Sequence, residues 1–433
     1  MLEKVLTRIG VEQQAGFDVS RVLWVAVDIG KRKHEACLGR TDRVLRRRLV
    51  FSNTSEGFLR LEESIAQTRT RSRIDLVVVG MEPTGPYWKP LFAQLKARGY
   101  PVVLVHSKAV KHNRKTMAGN DGKTDSLDSL CIWDLLRQGK CFAPIEREEK
   151  FESAYRMMQH YEDSCRRSGQ IRNQLRAVLA IVFPELNERF KKLDGKTALD
   201  FLAKNPTPES IRRLGPKRFL ERWRGPHGRW GRGFFAEIYD LAKKSIGVKD
   251  HLRSFELEIH LLVGEFRQAL ETQQRWFDLA LDSVKDHDHL TLLTSIRGIG
   301  DKVAVGLLAS LGDPTRFDHG KQWVSLAGLD LKLFESGDSI RRAPRISRQG
   351  KGLLRYWLYL AAVILVRYPG PFRDLYLRRQ KNSPGRGAKK RALIAVSDKL
   401  VRVIFAMLRD GKPYDSDADQ QMEARYALLK KVA

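Results

Sequence analysis

A chain of 433 residues carries 79 Lys and Arg against 51 Asp and Glu, a formal charge of +28. Its hydrophobic content of 42% suits globular domains and excludes a disordered polyelectrolyte, and at this length two or three domains are expected. The excess of cations points to a polyanion, with nucleic acid first, because Lys and Arg that neutralise phosphates release condensed counterions.

Residues 22–106 alternate between strand and helix patterns. Val22–Ile29 is an apolar β-rich run, and His34–Gly39 and Val44–Phe51 follow as short strands around a Thr41-Asp42-Arg43 turn. Ser55 opens a helix to Thr68, Ile74–Met81 is a strand buried on both faces, Tyr87–Arg98 an amphipathic helix and Val102–Val105 another strand. Three strands, then helix, strand, helix and strand describe an α/β layer with a mixed sheet, the RNase H-like arrangement.

Residues 149–289 carry many charges and long helical periodicity, including a long helix within Gly247–Leu281 that suits a hairpin or coiled-coil arm. Phe201–Gly233 is an Arg-, Gly-, Pro- and Trp-rich insertion, read either as a stacking surface for single-stranded nucleic acid or as a solvated loop with a few packed aromatics. From Leu290 the chain becomes mainly α, with a buried helix at Tyr356–Val366, a basic stretch Arg378–Arg391 and a final apolar helix Leu393–Leu408. The expected division is therefore an extension over 1–20, a carboxylate domain over 21–148, a helical linker over 149–289 and a C-terminal domain over 290–433. No apolar run reaches the ~20 residues of a membrane helix, and no signal-peptide pattern opens the chain. Cys37, Cys131, Cys141 and Cys165 form no Cys-x-x-Cys pair, so no zinc site or disulfide framework is expected, and a cytoplasmic setting is inferred.

Asp28 ends the first strand and Glu82 follows the second apolar strand, which puts both at the carboxyl edge where α/β active sites form. Asp125 and Asp128 stand three residues apart, on one face of a helix. Each acid alone has an ordinary local role as a turn cap, strand end or helix-start charge. Four of them at one site repel unless cations intervene, and Mg2+ or Mn2+ prefers such oxygen ligands. Two ions could clamp the attacking and leaving oxygens of a phosphodiester.

In the C-terminal part, Ser295-Ile-Arg-Gly-Ile-Gly-Asp-Lys302 resembles the turn of a helix-hairpin-helix element, in which Gly298 and Gly300 let backbone N–H groups approach a phosphate. Ser336 precedes Gly337 and is followed by Arg341, Arg342, Arg345, Arg348, Lys351 and Arg355, with no acid after Asp338. Arginine clusters grip phosphate and stabilise charge in phosphoryl transfer, so a serine here is a candidate nucleophile. A turn beside a DNA-backbone patch is the close alternative, and Ser339 and Ser347 compete by proximity. Gly122-Lys-Thr and Gly195-Lys-Thr lack the earlier glycine of an ATP-binding loop, since Met117 and Phe190 stand there.

These residues together resemble the DEDD-type insertion-sequence transposases, whose N-terminal half is similar to the RuvC Holliday-junction resolvase. The resemblance runs through Asp28-Ile-Gly, Glu82-Pro-Thr-Gly-Pro-Tyr, Lys123-Thr-Asp-Ser-Leu-Asp, Ile296-Arg-Gly-Ile-Gly, Phe317 to Gln322, Ala327-Gly-Leu, Glu335-Ser-Gly and Arg345-Ile-Ser-Arg-Gln-Gly. It implies that Asp28, Glu82, Asp125 and Asp128 hold the metal, and that Ser336, rather than Ser339 or Ser347, is the nucleophile. It further implies a structured non-coding guide RNA pairing with donor and target DNA. It implies no membrane partner, and a homodimer that assembles to a tetramer. Asp330 stands where relatives often have proline, which is expected to alter a loop. Two other readings remain at this point: a RuvC-like nuclease that hydrolyses junctions with metal-activated water, and a non-catalytic nucleic-acid-binding protein.

Overall fold

The computed structural model describes residues 18–118, 125–144, 148–223, 232–314, 317–332, 335–336, 340–341 and 345–421. The chain divides into two compact units, one up to Glu146 and the other from Arg147.

In the first unit, β1 (Val22–Asp28), β2 (Lys33–Gly39) and β3 (Val44–Ser52) are followed by α1 (Ser55–Ser72), β4 (Leu76–Met81), α2 (Trp88–Ala97) and β5 (Val102–Leu104). Two helices complete it, α3 (Ser107–Ala118) and α4 (Asp125–Arg137). The sheet order is β3-β2-β1-β4-β5; β1, β2 and β3 pair antiparallel, whereas β1, β4 and β5 run parallel. This is the element order read from the sequence, with bounds shifted by one or two residues except that α1 runs four residues past Thr68 to Ser72, and it is compatible with an RNase H-like sheet.

Both faces of the central strands are buried, which explains their unbroken apolar character. Leu23, Val25 and Val27 of β1 pack with α1 and α2 residues such as Leu61 and Leu91. Val22, Trp24 and Ala26, one residue out of phase, pack with Cys131, Ile132, Leu135 and Leu136 of α4. The approach of α4 is so close at β4 that a Cβ on Gly80 would lie 2.3 Å from Leu136 Cδ2.

The second unit contains α5 (Glu149–Val182), α6 (Pro184–Arg189), α7 (Lys196–Lys204), α8 (Pro208–Arg222), α9 (Arg232–Lys244) and α10 (Leu252–Asp282). It continues with α11 (Asp288–Thr294), α12 (Asp301–Leu311) and α13 (Gly320–Ala327), then the two-residue strands β6 (Leu331–Lys332), β7 (Glu335–Ser336), β8 (Ile340–Arg341) and β9 (Arg345–Ile346). Helices α14 (Gly352–Leu365), α15 (Pro371–Asn382) and α16 (Ala388–Asp410) close it.

The long helices α5 and α10 pack along each other and serve two apolar cores. One joins Ile171, Leu175 and Leu179 of α5 to Phe201, Phe219, Trp223, Phe235 and Ile259. The other joins Phe151 and Met158 of α5 to α12, α14 and α16. Where it is described, the Arg/Trp-rich insertion has the packed aromatics of the second sequence reading, but on helices and not in a solvated loop. Phe201 and Phe219 are fully buried and Trp223 stacks on Phe235 with ring centroids 5.1 Å apart, so these aromatics form a helical core and are not free to stack on bases. Arg224, Gly225 and Pro226 lie outside the described residues.

Candidate active site

Asp28 is the last residue of β1, and Glu82 immediately follows β4. The two strands are parallel with Ala26 opposite Gly80 and Val27 opposite Met81, so Asp28 and Glu82 occupy the next register position side by side. Side chains alternate along a strand. Asp28 therefore continues the row Val22, Trp24, Ala26, and Glu82 the row Val78, Gly80. Both rows lie on the face covered by α4.

Asp128 sits one turn into α4 and is 3% exposed. Arg114 of α3 donates from Nε to its Oδ1 at 2.5 Å, a charge-assisted bond between two helices that composition and periodicity do not reveal. Asp125 is described by its backbone as the first residue of α4.

Two further acids share this neighbourhood. Glu35 of β2 stands directly opposite Asp28 in the antiparallel ladder and is 6% exposed. Its Oε2 accepts from Arg48 Nε at 3.1 Å, while its Oε1 is buried without a hydrogen-bond partner. Counting residues across the β1–β2 turn would have flagged it. Asp134, left out of the sequence reading, accepts from Asn113, Arg137 and Gln138. Burial opposes its ionisation, but these three donors prevail and hold its carboxyl below the usual range. Its role is to tie α4 to α3.

All four predicted ligands are carboxylates, hard donors that fit Mg2+ or Mn2+ better than softer metals. Asp28 and Glu82 stand at neighbouring register positions at the ends of parallel strands. Among the described residues, however, no three His, Cys, Asp or Glu side chains stand together as a metal-holding group. Asp128 is instead neutralised by Arg114. Burial disfavours the thiolates: it pushes the Cys37 thiol up to about 12 and those of Cys131 and Cys141 to about 11.

In the second unit the short strands form a hairpin arm. Leu331 pairs with Ile346 and Lys332 with Arg345 at its base, and Glu335 pairs with Arg341 and Ser336 with Ile340 further out. The backbone thus puts Ser336 at the last ladder position of its strand, opposite Ile340. Ser336 and Arg341 are described by their backbone, whereas Ser339 and Arg342 lie outside the described residues.

The arm returns onto the end of α13. Ser347 N–H donates to Asp330 O at 2.7 Å and Ser347 Oγ to the Asp330 carboxylate at 2.8 Å, while Gln349 N–H donates back to Ser347 Oγ. Asp330 thus engages Ser347 through both its backbone and its side chain. Arg348 adopts a left-handed φ of 55°, unusual for a non-glycine residue. Beside it, Arg355 donates to Ala327 O at 2.8 Å, and burial followed by the charge of Arg348 lowers the pKa of its guanidinium. Lys351 Nζ donates to Ser310 O, and Arg345 and Arg348 are exposed.

Gly298 and Gly300 lie between α11 and α12. Gly298 has φ 98°, and a Cβ there would lie 2.6 Å from Tyr368 Cε2, so packing against Tyr368 demands a glycine. A Cβ on Gly300, the N-cap of α12, would meet open space.

Residues 25–184 match the DEDD transposase model of the IS110 type, and residues 290–377 match a model described as transposase, IS116/IS110/IS902 family. The chain belongs to this transposase family. An insertion element IS116 uncharacterized 44.8 kDa protein of Streptomyces clavuligerus is 28% identical over 404 residues, 90% of this chain and 95% of that protein. An insertion element IS110 protein of 43.6 kDa from Streptomyces coelicolor is 24% identical over 300 residues, 68% of this chain and 73% of its own length. A pilin gene-inverting protein of Moraxella bovis is 35% identical over 127 residues, 29% of this chain and 38% of that protein. The activity of this transposase is therefore DNA transposition and recombination. No described helix is long and apolar enough to cross a membrane.

Proposed function

We propose that this transposase cuts and rejoins DNA through a covalent phosphoserine on Ser336, assisted by divalent metal at Asp28, Glu82, Asp125 and Asp128. The observation that carries the metal part is the adjacent register of Asp28 and Glu82 at the carboxyl edge, on the face that α4 covers. A bound Mg2+ or Mn2+ would polarise a phosphoryl oxygen and offset charge on a leaving oxygen. The carboxylates of the first unit act by fixing where that charge can be offset.

In the proposed step, Ser336 Oγ loses its proton and bonds to phosphorus as the bond to the leaving deoxyribose oxygen breaks, and that oxygen takes up a proton. Arg345 and Arg348 hold the non-bridging oxygens. Attack on the phosphoserine by the hydroxyl of another strand reverses the step, so one phosphodiester is exchanged for another without ATP. The engagement of Ser347 with Asp330 supports Ser336 over Ser347 as the nucleophile. Guidance by a structured RNA that pairs with donor and target, and assembly of dimers into a tetramer, extend this reading from the family and from the charge of +28.

A plasmid recombination assay, with the protein and the DNA flanking its gene expressed together, tests the reading. Wild type is expected to form junctions, and Asp28→Asn and Glu82→Gln to lose them by at least about a hundredfold. Undiminished junctions in both variants would remove the acids from the chemistry. Copurification of a discrete RNA transcribed from those flanks is expected, and its absence from active protein would refute RNA guidance.

A further inference from the structure

We propose that the α15–α16 hairpin is a grip for the phosphate backbone of duplex DNA, separate from the arginines beside the serine. Residues 375–397 contain seven Lys and Arg and no acid. Arg379, Lys381, Arg386, Lys389 and Lys390 are exposed, and none has an acidic partner among the described residues.

The loop between the helices is built. Arg391 donates to the carbonyl oxygens of Arg386 at 2.9 Å, Ser383 at 2.9 Å and Pro384 at 3.3 Å. Gly385 and Gly387 supply the positive φ values of 97° and 85° that this path requires. Both flanking helices are anchored in the core, through Phe372 and Leu375 of α15 and Leu393, Val396 and Leu400 of α16. One guanidinium thus holds the loop while its neighbours face solvent on a fixed frame.

The charge arrangement is unfavourable for the free protein. The first turn of α16 has no acid and no side-chain cap, yet Lys389 and Lys390 place cations at the positive end of its dipole. A polyanion laid across the hairpin relieves that repulsion. Duplex DNA suits the surface better than a single strand, because residues 377–404 contain no aromatic side chain on which unpaired bases could stack.

The inference rests on the chain acting on DNA but not on covalent chemistry, so binding is measured without turnover. The full chain, wild type and a combined Arg386→Gln, Lys389→Gln, Lys390→Gln variant, is titrated against a fluorescent DNA duplex from about 50 to about 200 mM salt. The variant is expected to bind at least about tenfold more weakly, with a log Kd against log salt slope shallower by about three. Its unfolding temperature should stay level or rise, since cations at a helix start have been removed. Arg391→Lys, which keeps the charge but loses the loop's carbonyl bonds, should also weaken binding. An unchanged slope in the triple variant would overturn the proposal. So would lost affinity accompanied by a lower unfolding temperature, or a loss confined to an RNA duplex or single strand of the same length. Failure of wild type to bind DNA would defeat both this inference and the transposition reading, whereas failure to form a phosphoserine adduct would defeat only the mechanism.

Discussion

The two candidate halves of the chemistry are held in opposite ways. Asp28 ends and Glu82 directly follows strands whose apolar side chains are divided between two apolar layers, so their positions follow from the core itself. Ser336 lies on a hairpin of two-residue strands whose base is tied to α13 by the Ser347–Asp330 turn and the Arg348 backbone. A metal-holding edge requires fixed oxygens, and a buried strand end supplies them. A nucleophile that must reach and then hand over a DNA strand suits an arm. Packing lesions should therefore reach the chemistry in the first unit but leave it largely intact in the second.

The largest expected effect is on Arg114. Arg114→Gln strands the buried Asp128 carboxylate and should cost about 3 kcal/mol, measured by denaturant unfolding in the presence of a chelator. If Asp128 is a ligand, Mn2+ should restore part of that loss in the variant. Equal unfolding with and without Mn2+ would mean that Asp128 serves only to join α3 and α4. Next is Gly80→Val, which drives a side chain into Leu136 and should cost roughly 1–3 kcal/mol. Junction formation should fall with it, because the same contact sets the height of α4 over Glu82. Full activity in a destabilised Gly80→Val protein would break the link between sheet packing and chemistry.

In the second unit, Gly298→Ala forces a Cβ against Tyr368 and a positive φ on alanine, for about 1–2 kcal/mol, yet adduct formation below the unfolding temperature should persist. Its loss would give Gly298 the phosphate-approach role read from the Gly-x-Gly turn.

The smallest effect concerns Glu162 of α5, whose Oε1 is buried without a partner. Burial raises its pKa from 4.5 to about 7. The folded state then binds a proton that the unfolded state has released, so stability falls as pH rises from about 4.5 to about 7 and is flat above. Glu162→Gln should flatten that decline and raise stability at pH 8 by on the order of 1 kcal/mol, while changing little at pH 4. Parallel pH profiles for the two proteins would contradict the assignment.

How far each region could be read from sequence follows from the same contrast. The strands around Asp28 and Glu82 declared themselves through apolar runs, and the length of α10 through helical periodicity, since both patterns come from burial over many residues. The hairpin bearing Ser336 did not, because two-residue strands rich in Arg and Glu have no periodicity to detect. The core around Phe201, Phe219 and Trp223 was obscured by the charged residues between its aromatics, of which Arg213, Arg218 and Arg222 are exposed while the rings turn in. The Arg114–Asp128 and Asp330–Ser347 pairs join residues 14 and 17 apart, which composition cannot reveal.

The proposed strand exchange depends above all on a covalent bond to Ser336. The purified protein with its flanking RNA is mixed with labelled junction DNA and Mg2+, denatured, and resolved on a gel. A labelled band at the mass of the protein, absent in Ser336→Ala and weakened in Asp125→Ala, is the predicted result. Cut DNA without an adduct, undiminished in Ser336→Ala, would contradict it and leave metal-dependent hydrolysis as the mechanism.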